Sequence, residues 1–246
     1  MIDWLRPSRP VPRNPAPTTL DVAGRTLPVI LKRDARARRI VMRLGPDGAS
    51  LRLTLPRWGS AGEALAFARS RTGWIAAQLA AVPAFVAIAD GTRIPYLGRE
   101  LTLRHDLARR RLPAIEGDAL VVGGAGESLA PRLERWLRTE ARRLIEGDLA
   151  HYSARAGLPP GRLLLSSARR RWGSCAPDGT IRLNWRLVMA PEAVRRSVVA
   201  HEVAHRLHFD HSPAFHAALA AIYDDDLRAA DRWLKARGRT LYAPFG

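Results

Sequence analysis

The segment that most restricts this chain is Val198-Val199-Ala200-His201-Glu202-Val203-Ala204-His205. Apolar residues on several sides of its helical wheel predict a helix buried in a core, yet three ionisable side chains sit among them. Groups of that kind are costly to bury without partners, so the fold must enclose this helix and still give the three something to bind. Residues four apart lie one turn above each other, so His201 and His205 can offer ring nitrogens to a single ion. Glu202 lies about 100° round, able to reach a water on that ion without taking a coordination position. Zinc lowers the pKa of its water to about 7, and a neighbouring carboxylate can take the proton as the hydroxide attacks a carbonyl. The pattern predicts metal-assisted hydrolysis, with His201 and His205 holding one zinc per chain and Glu202 acting as general base.

A catalytic zinc normally takes three protein ligands and leaves one position open. His208, His211, His216 and the acidic run Asp224-Asp225-Asp226 are the candidates for the third. His208 follows His201 by seven residues, about 10 Å along a straight helix, too far to converge on the same ion. If the helix ends near Phe209-Asp210, the chain can turn and bring His211 back, which makes His211 the favoured ligand and the acidic run the main alternative. The single cysteine, Cys175, excludes an intrachain disulfide and any multi-cysteine metal site, and fits a reducing compartment. It is not expected to be a nucleophile, since no separate base is indicated for it once the histidines hold metal.

Periodicity organises the rest. Residues 1–17 carry five prolines and no continuous apolar run, and are read as a flexible arm on a cytoplasmic protein without a secretory signal. Ile40, Met42 and Leu44, then Leu51, Leu53 and Leu55, alternate about Pro46-Asp47-Gly48 as in a β-hairpin. Ser60 and Glu63 form a capping box that opens a helix to about Val82. Short strands between Thr92 and Val122 end at Gly123-Gly124-Ala125-Gly126, the expected domain boundary. Beyond it, Leu133, Leu137, Ala141, Ile145, Leu149 and Tyr152 keep helical spacing until Gly157. Strands at 163–165 and 181–184 precede a helix starting near Pro191 and running through His205, and two more helices follow at about 213–222 and 227–236. The expected layout is a β-rich region with one helix over 18–126 and the metal-binding domain over 127–246. No internal repeat is apparent, and no stretch is long and apolar enough to span a membrane.

The formal net charge of +17 comes almost wholly from arginine, because Lys32 and Lys235 are the only lysines. Such a bias fits GC-rich coding as well as an acidic partner. If nucleic acid binds, the clusters Arg109-Arg110-Arg111 and Arg169-Arg170-Arg171 are where it would do so.

Arg171-Trp172-Gly173-Ser174-Cys175, then Gly179 to Leu187, the His201 to His205 motif and Asp210-His211-Ser212-Pro213-Ala214-Phe215 together resemble the YgjP-type metal-dependent hydrolases, relatives of the SprT-like zincin metallopeptidases. The resemblance extends more weakly upstream and covers about residues 30 to 240. It implies an α+β, zincin-like metallopeptidase domain with its active-site helix packed on a small sheet. It also implies zinc held by His201, His205 and His211, with Glu202 as the base. One position departs from the family pattern, His216, where a large aromatic is usual.

The leading reading is therefore cleavage of a peptide or protein substrate, lying extended beside a strand such as Ile181 to Asn184, with Trp172 and Asn184 as candidate substrate contacts. Tyr223 and Tyr242 are candidates for stabilising the transition state. Two alternatives remain: a zinc hydrolase of a non-peptide amide, and a nucleic-acid-associated protein whose zinc domain is structural. Glu202 discriminates the last, since a structural zinc needs no carboxylate beside its water and is normally closed by four protein ligands.

Overall fold

A computed structural model of the chain describes residues 18–45, 48–82 and 84–245; the expected arm and the turn residues Pro46 and Asp47 lie outside the described residues. The chain divides into two compact units, Met1–Val82 and Pro83–Gly246.

In the first unit, alternating side chains give β1 (Thr19–Val22), β2 (Arg25–Arg33), β3 (Val41–Leu44) and β4 (Leu51–Leu55), which form one sheet in the order β1-β2-β4-β3. The expected hairpin is present as the antiparallel pair β3–β4. Inward residues such as Leu27, Leu51, Leu53 and Leu55 are buried with Ala64, Ala68, Ile75 and Leu79. The capping box of Ser60 and Glu63 forms in both directions. The single helix expected beyond it is two, α1 (Ala61–Arg69) and α2 (Thr72–Ala80). At the break the Ser70 hydroxyl donates to the Phe67 carbonyl at 2.9 Å, a local bond of the kind that competes with helix continuation.

The second unit opens with β5 (Arg93–Tyr96), β6 (Arg99–His105), β7 (Ala114–Glu116) and β8 (Ala119–Val122), ordered β5-β6-β8-β7. These strands belong with the C-terminal half, so the compact units do not divide at Gly123–Gly126. Ile94, Leu101, Leu103, Leu120 and Val122 share one core with Leu133 and Leu137 of α3 (Leu129–Arg155). Gly123 is needed for close approach, because a Cβ there would lie 2.0 Å from the Arg109 carbonyl oxygen. Both four-stranded sheets have one topology: a central parallel pair, β2–β4 or β6–β8, flanked by antiparallel strands. This structural repetition is invisible in the sequence, since strand alternation constrains polarity and not identity.

The helix α3 ends as expected at Gly157, whose φ of +67° places it in the left-handed region that favours glycine. Next come β9 (Leu163–Ser166), β10 (Gly173–Cys175) and β11 (Ile181–Asn184), in the order β10-β11-β9. Then follow α4 (Glu192–Ala204), α5 (Pro213–Ile222) and α6 (Leu227–Arg237). The helix α4 packs against α3, α5, α6, β10 and β11, so the segment carrying the motif is enclosed. It is also pinned to α3 by a buried ion pair, Arg195 Nε to Asp148 Oδ2 at 2.7 Å. The described residues make a mixed α+β fold of several small sheets and six α-helices, none long and apolar enough to cross a membrane.

Candidate metal centre

The helix α4 runs to Ala204 with His205 as its cap, within a residue of its expected end, and the turn that follows builds the site. The amides of Leu207 and His208 both donate to the Ala204 carbonyl, tightening the chain into a turn. The His205 ring spans the same turn, with Nδ1 3.1 Å from the His208 carbonyl oxygen. A carbonyl only accepts, so Nδ1 carries the proton and the neutral ring keeps its Nε2 lone pair free, the usual arrangement for a ligating histidine. Ser212 then caps α5, its hydroxyl accepting from the Phe215 amide, with Pro213 in the first turn.

This path returns His211 to the motif. His201, His205 and His211 each offer one nitrogen within 4.8 Å of the others. The Nε2 of His201 lies 3.1 Å from that of His205 and 3.3 Å from that of His211. Ligands about 2.0–2.1 Å from a tetrahedral zinc stand about 3.3 Å from one another, so the donor set fits such an ion. Beneath the trio lies Phe215, fully buried, with its ring centroid 4.5–5.0 Å from all three imidazoles. Sequence alone does not assign Phe215 this role, although its place four residues after His211 on a capped helix is a signal of it.

Glu202 is 5% exposed and faces β10. A Cβ on Gly173 would lie 2.3 Å from Glu202 Oε1, so the glycine is what lets the strand pass the carboxylate. Burial raises the Glu202 pKa to about 7, against the downward pull of the Arg171 cation. Burial, helped by the neighbouring histidines, lowers His201 to about 4, and burial also lowers His205. The imidazoles of His201 and His205 are therefore held neutral, the form that ligates, and the carboxyl is poised near neutrality, where proton transfer is efficient. A cavity of about 290 Å³ opens here, lined in part by Trp172, Gly173, His201, Glu202 and Leu234.

Residues 38–237 match the family model of the YgjP-like metallopeptidase domain. The chain belongs to the YgjP-like family. No curated protein and no solved structure matches it. The YgjP-like assignment makes this a metal-dependent hydrolase of the peptidase type, in line with the chemistry expected from the histidine motif.

Most of the other candidates read from the sequence fall outside this cluster. Asp224 accepts from Tyr152 and pairs with Arg155 and Arg196, while Asp226 caps α6, so the acidic run is occupied with structure. His216 is exposed, and His208 contributes only its carbonyl. Tyr223 and Tyr242 donate to the Ala193 and Ala168 carbonyls, which removes both hydroxyls from a role in the reaction. Asn184 is also corrected: it is fully buried, its amide donates to Ala168 and Tyr242, and its oxygen accepts from the Arg186 amide. It fixes the 168–172 segment and has nothing left for a substrate. Nor can a substrate lie beside Ile181–Asn184, because β11 is the central strand with both edges paired. Trp172 is half-buried, packs against Gly238 and Tyr242, and forms a wall of the cavity. Burial raises the Cys175 thiol pKa, as does the nearby Glu202, leaving it a poor nucleophile. Of the arginines at 109–111, Arg109 is paired with Glu116 at 2.6 Å.

Proposed function

We propose that the protein is a zinc peptidase of zincin-like design, in which His201, His205 and His211 hold the ion and Glu202 is the general base. The observation that carries this reading is the convergence of three imidazole nitrogens beside a buried carboxylate that has no ion-pair partner among the described residues. Zinc bound there supplies a Lewis acid that acidifies water and polarises a carbonyl. Glu202 accepts the proton of the attacking water at its carboxylate and returns it to the leaving amine. The His205 ring is held through Nδ1 by the His208 carbonyl, which would leave Nε2 free to ligate.

The substrate edge is β10. Trp172 and Ala176, at its two ends, face β11, accepting from Asn184 and donating to Thr180 respectively. By antiparallel alternation Gly173 and Cys175 turn their N–H and C=O groups to the open edge, beside the cavity that holds Glu202. An extended peptide can pair there by strand addition, which presents a backbone carbonyl to the site.

Purified protein is expected to carry about one zinc per chain, and His201→Ala or His205→Ala to lose it, because the remaining pair cannot hold a catalytic ion that normally takes three ligands. A chelator should stop peptide hydrolysis and added zinc restore it. Full zinc occupancy in either variant, measured by elemental analysis, sinks the assignment.

A further inference from the structure

Past Trp172 lies a second cavity, of about 260 Å³, which shares Trp172 and Leu234 with the metal-side cavity. Arg169, Arg170, Arg171, Lys235 and Arg239 line it, and no carboxylate does. Like charges gathered in one recess repel, and for the arginine run at 169–171 little in the fold relieves this. Among the described residues Arg169, Arg170 and Arg171 make no ion pair and no hydrogen bond. Lys235 is paired, at 2.6 Å, with Asp231, whose side chain lines the metal-side cavity instead.

The arginine segment is also held in place. The Ala168 carbonyl accepts from Asn184 Nδ2 at 2.8 Å and from the Tyr242 hydroxyl at 2.9 Å, and the Tyr242 ring packs on Trp172 with centroids 5.6 Å apart. Asn184, one of the few fully buried polar side chains, is thus spent on fixing the backbone from which the cations project. That backbone continues directly into β10, so any chain on the open edge passes the recess.

We propose that this recess is a subsite for substrate carboxylates, so that the enzyme favours peptides bearing acidic side chains, or a free C-terminus, close to the cleaved bond. The inference rests on the peptidase reading and adds the substrate class to it. A nucleic acid would bring anions too, but the recess is smaller than the roughly 300–1,000 Å³ of an ordinary small-molecule pocket and shares its wall with the hydrolytic cleft. Those two facts favour a peptide.

The test uses full-length, zinc-loaded Glu202→Gln protein and fluorescence anisotropy at low salt. Three labelled peptides share one sequence: one with Glu and Asp side chains and an amidated end, one with Gln and Asn and an amidated end, and one with Gln and Asn and a free C-terminus. At least one carboxylate-bearing peptide should bind about tenfold more tightly than the neutral one, and which does so identifies the carboxylate. The advantage should shrink as salt rises and vanish in a variant that also carries Arg169→Gln and Arg170→Gln. Equal affinity for all three peptides, or a preference untouched by the two substitutions, overturns the subsite. Hydrolysis of the neutral peptide by the native protein tests the peptidase reading separately, and failure of any peptide to bind or be cleaved overturns both. A single-stranded oligonucleotide that binds, and loses affinity in the arginine variant while the peptides show no preference, overturns the proposal in favour of nucleic acid.

Discussion

The two sides of α4 treat buried charge in opposite ways. Where the helix meets α3, Arg195 is 2% exposed and pairs with Asp148 at 2.7 Å, and Arg196 reaches Asp224 at 3.2 Å. Where it meets β10, Glu202 is 5% exposed and has neither an ion pair nor a hydrogen bond among the described residues, and His201 turns its Nε2 towards two other imidazole nitrogens. Both sides incur desolvation. On the first an ion pair offsets most of it, leaving one nitrogen, Arg195 Nη1, without a hydrogen-bond partner among the described residues; on the second no pairing does, and the pKa values of His201 and Glu202 shift towards the neutral forms instead. Polar groups answered within the protein mark architecture, whereas those left unanswered mark where something else is meant to bind.

Four measurements can break or sharpen that contrast. The largest effect is expected from Glu202→Gln, which keeps the shape and removes the proton acceptor. Hydrolysis should fall by about 10²–10⁴-fold. Zinc content by elemental analysis and thermal stability should hold, since the neutral amide is no harder to bury; loss of zinc in this variant means that Glu202 is a ligand and not the base.

On the opposite side, Asp148→Ala strands the buried Arg195 cation and should cost about 3–5 kcal/mol in urea unfolding. Replacing both partners, Asp148→Leu with Arg195→Met, should recover most of that loss. If the double replacement is as unstable as the single one, the pair is not a simple exchange of charge for charge.

Gly173→Ala comes third. Its methyl would meet Glu202 Oε1 within 2.3 Å, so strand or carboxylate must shift, at about 1–3 kcal/mol. Peptide hydrolysis should drop while zinc stays bound, and an unchanged rate would show that the carboxylate position is not critical.

The smallest effect belongs to pH. Burial works against the Asp224 charge, but the Tyr152 hydroxyl and the Arg196 and Arg155 cations outweigh it and hold its carboxyl below the ordinary aspartate range. A carboxyl whose pKa is depressed on folding adds stability above its unfolded value, about 3.9, and loses it as pH falls through the folded one. The urea midpoint of the native protein should therefore decline more steeply below about pH 4 than that of Asp224→Asn, and parallel curves would remove Asp224 from the paired side of the comparison.

What the sequence made legible follows the reach of each signal. The motif on α4, the caps at Ser60 and Gly157 and the strand at 181–184 are local patterns, and each appears at or within a residue or two of its expected place. His211 could be favoured as third ligand only on condition that the helix broke, and the break lies at Ala204 rather than at Phe209. The remainder depends on contacts between distant segments. Nothing near Arg195 points to Asp148, 47 residues away, and nothing in Asn184 reveals that Ala168 and Tyr242 will take up its amide. The glycines at 123–126 resembled a linker because glycine serves flexibility and close backbone approach alike, and only the packed structure tells them apart.

The open edge of β10 has a consequence for the protein as a population of molecules. An unpaired strand edge invites any extended chain, including the same edge on a second copy, and self-pairing of that kind leads to aggregates. Here the edge strand is three residues long, and only Trp172 separates it from Arg169-Arg170-Arg171. Two copies meeting edge to edge in parallel would set arginine runs close together over a ladder too short to compensate, whereas a strand of opposite charge meets no such barrier. The same cations would oppose that self-pairing without opposing an acidic guest.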